Sequence, residues 1–366
     1  MNRIFRRASF LLLAGLAFML VVVTGCLQPL KGQPQTTDSA ADVPAVTNVV
    51  QNAVRRDRFE GASVLLMRDN RLIYKRTFGD YSLNTVVPVA SATKWISASV
   101  IMSLVDEGKL SLDAPISQYL PKLTGQEGSI TLRQLLSHTS GLRGFNRCLG
   151  DESTTLAKCT DQIFQVGLKV DPGTEFSYGG VSFQVAGRLA EVVSGKSWKT
   201  LFEERIKKPL NMVNTTYGDT ENPRIAGGAV STLQDYANLL QMHVNGGMFN
   251  GKRVLSAASV EEMQRDQTRG VPIVLTPYKD NRRYGLGEWR DIVDAKGKAI
   301  QLSCQGAFGF SPWIDPQRKL LGVFLVRNRF RTVTPTVEQV QKTIREMVDS
   351  KRASTENSGV SAIRVS

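Results

Sequence analysis

Histidine and cysteine, the side chains that most often bind transition metals in proteins, are scarce in this sequence. The 366 residues include two histidines, His138 and His243, and four cysteines. No cluster of carboxylates lies near either histidine in the sequence, and a metal centre needs several such ligands together. We therefore expect neither a metal site nor a bound cofactor.

Long apolar segments are also scarce, and the clearest one lies near the N-terminus. Residues 10–23 are almost wholly apolar but are short for a membrane span, and a basic segment with Arg6 and Arg7 precedes them. This arrangement predicts that residues 1–25 are a signal peptide. The tetrapeptide Val23-Thr24-Gly25-Cys26 resembles the lipobox of bacterial lipoproteins, in which cleavage precedes a lipid-modified cysteine. An ordinary signal peptide and an N-terminal transmembrane helix are the alternatives.

The lipobox resemblance implies a location for the protein. Cys26 would carry the lipid, and residues 26–45 would form a flexible tether to the membrane. The residue after the cysteine, Leu27, is not the aspartate that would keep a lipoprotein away from the outer membrane. We therefore expect the protein in the outer membrane, facing the periplasm. The folded domain would then comprise residues 46–350. Residues 351–366 are polar, and we expect them to be disordered.

The formal net charge is +13, yet nothing in the sequence predicts a nucleic acid partner. The lysines and arginines are scattered, no nucleic-acid-binding motif occurs, and export would separate the protein from nucleic acid. Attraction to an anionic envelope surface and a merely solvated basic exterior both remain open. No internal repeat is present, and we expect a monomer.

The cysteines beyond Cys26 indicate a disulfide in an oxidising compartment. Cys148 and Cys159 bracket a short polar loop and are predicted to pair; two unpaired thiols are the alternative. Cys304 is then left over. Because neither histidine is its neighbour in the sequence, we interpret it as a packed free thiol and not as a nucleophile.

The most informative pattern is Ser91-Ala92-Thr93-Lys94, the only Ser-x-x-Lys in the sequence. It follows an extended segment, residues 86–89, and opens a helical pattern that ends near Gly108. Residues i and i+3 lie on one face of a helix, so the Lys94 amine can reach the Ser91 hydroxyl. A partly buried lysine has a lowered pKa and can take the serine proton. A surface serine and lysine at a helix start are the alternative.

Three further segments follow in an informative order. Residues 131–142 begin with a capping-box pattern and end in a glycine turn, and residues 171–180 place Tyr178 in a turn before another helical pattern. Residues 305–310 are rich in glycine and precede a pair of strands.

With these motifs the chain resembles, over residues 46–350, the serine β-lactamase and penicillin-binding protein superfamily, of which Ser-x-x-Lys is a signature. The nearest likeness is to the class C-like branch, which includes family VIII carboxylesterases. The resemblance implies that Ser91 forms an acyl-enzyme and that Lys94 and Tyr178 share the proton as a coupled base. The oxyanion hole would be the N–H of Ser91 and an N–H near Ala307. The implied partner is a small ester, amide or peptide-like substrate.

The chain departs from the superfamily pattern at two substrate-binding positions. Gly180 stands where the second motif usually has an asparagine that binds the substrate amide. Gln305-Gly306-Ala307 replaces the third motif, whose first residue is usually a cation that attracts a carboxylate. We therefore expect a carboxylesterase or amidase of broad acyl substrates, with a β-lactamase or D-Ala-D-Ala carboxypeptidase as the alternative. Arg282 or Arg283 could restore a carboxylate anchor from a loop.

The expected fold is α+β with three αβα layers. Residues 61–78 and 308–326 each read as a strand pair, and the patterns between them are mostly helical. Since strands lie near both ends of the domain, they should meet in one antiparallel sheet flanked by helices, with a mostly helical subdomain and the site at the junction. The final helix is predicted to start at Thr334-Pro335.

The two histidines and a non-catalytic role are the remaining alternatives for the site. His138 could suggest a Ser-His-Asp triad, but His138-Thr139-Ser140-Gly141 looks like a structural turn of the superfamily. His243 lies in an amphipathic helical pattern and is expected to be a core or surface residue, not a catalytic one. A catalytically silent envelope protein that binds peptidoglycan or a partner is the alternative to an enzyme.

Overall fold

The computed structural model describes residues 35–36 and 43–361, with the side chains of residues 43–351. Within these residues the helices are α1 (Pro44–Arg56), α2 (Thr93–Asp106), α3 (Gly125–Ser129), α4 (Leu132–Leu136), α5 (Leu156–Val166), α6 (Val181–Ser194), α7 (Trp198–Phe202), α8 (Leu233–Val244), α9 (Ala257–Gln264) and α10 (Phe330–Ser361). The strands are β1 (Gln35–Thr36), β2 (Gly61–Arg68), β3 (Arg71–Gly79), β4 (Val87–Pro88), β5 (Phe176–Ser177), β6 (Val230–Ser231), β7 (Met248–Phe249), β8 (Lys252–Arg253), β9 (Ile273–Leu275), β10 (Arg283–Tyr284), β11 (Trp289–Val293), β12 (Ala299–Ser303), β13 (Ser311–Asp315) and β14 (Leu320–Val326). The predicted signal peptide and the predicted lipid-carrying Cys26 lie outside the described residues.

The main sheet joins strands from both ends of the domain. Its order is β1-β3-β2-β14-β13-β12-β11-β10, and all its neighbours are antiparallel. Asp69 and Asn70 both have positive φ and make the two-residue turn between β2 and β3, a geometry that asparagine and aspartate tolerate. In the centre, β14 pairs with β2 from Leu320 opposite Arg68 to Val326 opposite Ala62. The predicted meeting of the two chain ends is confirmed.

Helices cover both faces of this sheet. Along β2 the side chains alternate between two cores: Val64 and Leu66 belong to the core beneath α1 and α10, whereas Leu65 packs toward α2 and α8. This alternation is the period of two that a strand requires. Because β2 and β14 are buried on both faces, the predicted three-layer α+β fold with a helical region on one side is confirmed.

The last helix differs from the sequence prediction at both ends. It begins at Phe330, four residues before Thr334, and Pro335 lies inside it. The N–H groups of Asn328 and Phe330 donate to the carbonyls of Phe308 and Ala307, and these contacts begin the helix earlier than the proline position suggested. The helix then continues to Ser361, so it includes residues 351–361 of the tail that was expected to be disordered.

Among the helices of the described part of the chain, none combines the length and the apolar character needed to cross a membrane.

Candidate active site

Ser91 lies in a short 3-10 turn, Ala90–Ala92, that leads directly into α2. Ala90 has φ 46°, a left-handed conformation that is uncommon for a residue with a side chain and that directs the chain sharply into the helix. Nearly all of α2 is buried, so the turn rests on a rigid element. Ser91 itself stays partly exposed and lines two clefts.

The amine of Lys94 contacts the hydroxyl of Ser91. Its Nζ donates to the Ser91 hydroxyl oxygen at 3.3 Å and to the carbonyl of Ala226 at 3.0 Å. Lys94 is 3% exposed. Burial lowers its pKa to about 8; Cys304 opposes this shift and the charge of Arg224 adds to it. A substantial fraction of the amine is therefore neutral near that pH and able to accept a proton.

Tyr178 completes the cluster as a neutral hydroxyl. Burial raises the pKa of its hydroxyl well above the usual value near 10, and the nearby side chains of Ser91 and Trp289 oppose this shift only in part. The Lys94 amine contacts the ring of Tyr178 and not its oxygen, 4.6 Å from the ring centre. The three residues that the sequence singled out thus lie together, and Lys94 is the one whose pKa suits a base.

The loop between β12 and β13 places the second predicted oxyanion donor beside Ser91. Ala307 lines both clefts with Ser91, and its carbonyl accepts from the N–H of Phe330 at 3.0 Å. Within the described backbone the N–H of Ala307 makes no hydrogen bond, so it is available to a substrate oxygen. Gly306 does not line either cleft. A Cβ on Gly306 would lie 2.3 Å from the carbonyl oxygen of Val89, so this glycine permits the loop to approach the Ser91 turn.

The other two predicted substrate-binding residues line different clefts. Gln305 faces the larger one, of about 530 Å³, and its Oε1 accepts from the hydroxyl of Tyr278 at 3.3 Å. Gly180 faces the smaller one, of about 310 Å³, where a Cβ would lie 3.0 Å from Leu149 Cδ1. A cavity of about 690 Å³ elsewhere, beside α5 and α7, contains none of the catalytic residues.

The two arginines considered as carboxylate anchors are engaged elsewhere. Arg282 forms ion pairs with Asp280 and Asp291 and lies 3.7 Å above the ring of Tyr278. Arg283 donates to the main-chain carbonyls of Thr268 and Val271. Neither is a free cation in the clefts around Ser91, so this suggestion from the sequence is wrong.

Both histidines are buried among apolar side chains. Neither ring nitrogen of His138 has a hydrogen-bond partner within the described residues, and its ring centre lies 4.6 Å from that of Tyr178. Burial, with the charge of Lys94, lowers the pKa of His138 well below 6.5, so the ring is neutral. His243 bonds Ser99 through Nε2 at 2.9 Å. Both therefore have packing roles, in agreement with the non-catalytic interpretation that the sequence favoured.

A disulfide fixes the loop that walls the smaller cleft. Cys148 and Cys159 are bonded, as predicted, with their Cα atoms 5.2 Å apart, and Cys304 is a buried free thiol that donates to the carbonyl of Ser91. The Asn222 side chain donates to the carbonyls of Cys148 and Asp151, each at 2.8 Å. The disulfide and the Asn222 side chain thus both hold this loop in place.

Sequence reasoning missed several residues of the site. The ring of Trp289 lies 5.1 Å from that of Tyr178, centre to centre, and Arg224 lies near Lys94. Tyr278, Arg329 and Arg331 line the larger cleft. The three arginines between Arg327 and Arg331 are a visible basic cluster in the sequence. Only the fold shows which members of that cluster face Ser91.

A serine with a lysine one helical turn further on, placed where an antiparallel sheet meets a helical region, defines the class of Ser-x-x-Lys serine hydrolases. The chain belongs to the beta-lactamase family, whose sequence model matches residues 46–339. This family is part of the serine β-lactamase and penicillin-binding protein superfamily. Its curated relatives include penicillin-binding protein 4 of Amycolatopsis lactamdurans, 29% identical over 234 residues, which are 54% of this chain and 61% of that protein. The chain thus spans less than two thirds of this relative's length.

Two solved structures show how far the fold is shared. A candidate β-lactamase from Bacteroides dorei DSM 17855 superposes with a TM-score of 0.77 at 31% identity, covering 84% of this chain and 99% of the other. EstCE1, a hydrolase with promiscuous acyltransferase activity, superposes with a TM-score of 0.70 at 21% identity. This second match covers 82% of this chain and 97% of EstCE1, and it shows a common fold.

Proposed function

We propose that this protein hydrolyses carboxylic esters and amides through an acyl-enzyme on Ser91. The observation that carries the proposal is the contact of 3.3 Å between the buried Lys94 amine and the Ser91 hydroxyl. A serine is a weak nucleophile until a neighbour removes its proton, and an amine with a pKa of about 8 can do so. A binding protein would have no need of this arrangement.

The reaction follows from the positions of these groups. Neutral Lys94 accepts the hydroxyl proton as Ser91 Oγ bonds to the substrate carbonyl carbon, and the N–H groups of Ser91 and Ala307 bind the oxyanion. The bond to the leaving group then breaks, and the leaving group takes the proton from the Lys94 ammonium with Tyr178 as a neutral relay. A water molecule attacks the acyl carbon, which releases the carboxylic acid and restores Ser91.

The position of Gln305 supports esters and amides over β-lactams. A neutral carboxamide there cannot provide the charge-assisted bond that a lysine or histidine would give to a substrate carboxylate. Gly180 likewise has no side chain to hold a substrate amide. The second candidate is a β-lactamase or D-Ala-D-Ala carboxypeptidase, favoured by the similarity to a penicillin-binding protein.

Mass spectrometry with turnover assays tests the proposal directly. The full chain in detergent is incubated with a fluorophosphonate, a p-nitrophenyl acetate and a chromogenic cephalosporin. Ser91→Ala is the test variant, and Ser350→Ala, an exposed serine on α10, is the matched control. We expect a covalent adduct and ester turnover that vanish in Ser91→Ala and persist in Ser350→Ala.

The same experiment separates the alternatives. Cephalosporin turnover that exceeds ester turnover in kcat/KM would replace the esterase by the β-lactamase reading. If circular dichroism shows a folded protein but none of the three compounds gives an adduct or turnover, the enzyme proposal fails. The non-catalytic binding protein is then the remaining alternative.

For the location we propose an outer-membrane lipoprotein anchored through Cys26, exported and facing the periplasm. The proposal rests on the lipobox-like sequence and on Leu27. Mass spectrometry of the mature N-terminus should find a lipid-modified cysteine at position 26, and fractionation should place the protein in the outer membrane. Cys26→Ser should abolish the modification; an unmodified protein cleaved elsewhere would contradict the proposal.

A further inference from the structure

Two phenylalanines are exposed at the mouth of the smaller cleft. Phe145 is 74% exposed and Phe308 is 49% exposed, and no other phenylalanine of the described residues is exposed. Both line the cleft that also borders Ser91. Leu275 is 52% exposed and lies close by, since a Cβ on Gly144 would be 3.9 Å from its Cδ2. These three side chains, Phe145, Leu275 and Phe308, form an apolar rim beside the nucleophile.

Main-chain hydrogen bonds fix the backbone of the apolar rim. The carbonyl of Gly144, next to the first phenylalanine, accepts from the N–H of Gly180 at 3.1 Å, and the carbonyl of Leu275 accepts from the N–H of Tyr178 at 3.0 Å. The carbonyl of Phe308 accepts in the same way from the segment before α10, at 2.9 Å. The three side chains are thus exposed although their backbone is held in place, so they add little to the core. Apolar side chains exposed together in this way indicate a surface that meets a partner.

Unpaired arginines lie next to the apolar rim. Arg143 and Arg147 are exposed and are each two residues from Phe145. Arg329 and Arg331, also exposed, give the larger cleft a positively charged end. Within the described residues none of the four forms an ion pair or a side-chain hydrogen bond. No aspartate or glutamate lines either cleft that borders the nucleophile, so this positive charge has no counter-charge from the cleft walls.

An anionic lipid surface matches this combination of side chains. Surfaces that bind such membranes place aromatic and aliphatic side chains at the level of the headgroups and basic side chains beside them. A second copy of the chain matches less well, because two identical faces would bring the same arginines together. The formal net charge of +13 likewise favours an anionic partner. Asp151 and Glu152, the acidic residues of the same loop, line neither cleft.

We propose that the apolar rim and the arginines beside it dock the domain on an anionic phospholipid surface. Phe145 and Phe308 insert at the interface between headgroups and acyl chains, and Arg143 and Arg147 bind the headgroup phosphates. This contact is separate from the predicted lipid anchor at Cys26. It also goes beyond the proposed function, because it determines which face of the domain meets the bilayer. Both clefts of the active site then open toward the lipid.

Single exposed tryptophans can report which face meets the bilayer. The four native tryptophans are at most 1% exposed, so lipid reaches only an introduced one. Phe145→Trp and Phe308→Trp are the test variants. Val213→Trp is the matched control, at an apolar position that is 64% exposed and lines neither cleft. The full chain is reconstituted into phosphatidylcholine vesicles with increasing phosphatidylglycerol, and brominated phosphatidylcholine quenches any tryptophan that contacts it.

The expected result is a difference between the rim and the control. Quenching in Phe145→Trp and Phe308→Trp should grow with the fraction of phosphatidylglycerol. In Val213→Trp it should not exceed that of the wild-type chain. Because all samples carry the same N-terminal segment, membrane attachment through that segment affects the three variants alike.

Removal of two arginines tests the electrostatic part of the proposal. When Arg143→Gln/Arg147→Gln is added to Phe308→Trp, half-maximal quenching should require more phosphatidylglycerol, since each basic side chain near an anionic surface favours the bound state about fivefold. The control Arg55→Gln/Arg58→Gln removes the same charge from exposed positions in α1 and the turn after it, on the other face of the sheet. It should leave the midpoint unchanged. An equal shift in both pairs would indicate attraction by overall charge and would overturn the role of the two arginines.

Three other results would overturn the docking surface. Test variants that stay unquenched at every lipid composition would show that the apolar rim does not meet the bilayer. Equal quenching in Val213→Trp would show that no face is preferred, and quenching without phosphatidylglycerol would show that anionic lipid is not recognised. In the first case, sedimentation of the full chain in detergent tests the other occupant: a dimer that Phe145→Ser/Phe308→Ser dissociates would assign the rim to a second copy.

Discussion

The amine of Lys94 lies over the face of the Tyr178 ring, 4.6 Å from its centre, while Tyr178 and Ser91 line the same two clefts. The charge of Lys94 does not offset the effect of burial on the Tyr178 hydroxyl. Burial therefore dominates, and it raises the pKa of Tyr178 while it lowers that of Lys94. This divides the roles that the sequence treated as one coupled base: Lys94 takes the proton and Tyr178 stays protonated.

The pH dependence of ester hydrolysis should report the titration of Lys94. Below its pKa of about 8 the amine is protonated and cannot accept the Ser91 proton, so kcat/KM should fall about tenfold per pH unit on the acid side. His138 stays neutral in this range, and the pKa of Cys304 is raised by burial to about 12, so neither adds a limb. Rates from pH 6 to 10 with a neutral p-nitrophenyl ester, beside circular dichroism of each sample, provide the measurement. A profile that stays flat down to pH 6 would contradict Lys94 as the base.

Tyr178→Phe should lower the rate without moving that limb. The variant keeps the ring beneath Lys94 and removes the hydroxyl near Ser91, so we expect kcat to fall by ~10²–10⁴, the usual contribution of a proton-transfer group. The acid limb should remain near pH 8, because Lys94 still titrates there. Phe183, whose ring also lies near the Lys94 amine, offers the control Phe183→Leu, which keeps the Tyr178 hydroxyl. If the acid limb of the pH profile is lost or displaced in Tyr178→Phe but not in Phe183→Leu, Lys94 and Tyr178 act as one coupled base after all.

Arg224 should adjust the base from the wall of the smaller cleft. Its charge helps lower the pKa of Lys94, so Arg224→Gln should move the acid limb to higher pH and reduce kcat/KM at pH 7 by several-fold. Arg224→Lys keeps the charge and should leave the limb in place. Since the carbonyl of Arg224 accepts from the N–H groups of Gly227 and Gly228, the turn itself survives either substitution. An unchanged limb in Arg224→Gln would show that burial alone sets the pKa.

The nucleophile and the sheet could be predicted because their signals are local. The spacing of Ser91 and Lys94 fixes their contact within one helical turn, and the short, largely apolar segments of β2 and β14 indicate strands that are buried on both faces. The charged end of the larger cleft could not be predicted in this way. It forms where α10 meets the loop at Ala307, far from Ser91 in the chain, and no local pattern tells which arginines of a basic cluster line the cleft.

Glycine and proline positions show the same limit. Gly306 reads as a motif glycine that contacts substrate, yet its small size is needed because the backbone of Val89 lies against it. Pro335 reads as a helix start, but contacts with the loop at Phe308 begin the helix earlier. In both cases a residue distant in the sequence decides the outcome.

Gly306→Ala should damage the oxyanion hole more than the fold. The added Cβ would lie 2.3 Å from the Val89 carbonyl oxygen, so the loop must move and carry the Ala307 N–H away from Ser91. Losing one oxyanion donor typically costs ~10²–10³ in rate, and we expect a fall in kcat/KM of this order. Gly150→Ala is the control, because a Cβ there meets no atom within 4 Å. Thermal unfolding of both variants should show a folded protein; full activity in Gly306→Ala would mean that Ala307 does not bind the oxyanion.

The disulfide should stabilise the domain and shape the smaller cleft together. Cys148 and Cys159 are separated by 11 positions, and closing a loop of this size contributes roughly 2–4 kcal/mol by restricting the unfolded chain. Denaturant unfolding of Cys148→Ser/Cys159→Ser should show a free energy of unfolding lower by that amount. A reductant should reproduce the loss in the wild-type protein and change nothing in the variant, which still contains Cys304.

Because the loop places Leu149 against Gly180, the variant should also discriminate less between short and long acyl esters. A stable variant with unaltered chain-length preference would show that Asn222 alone holds the loop.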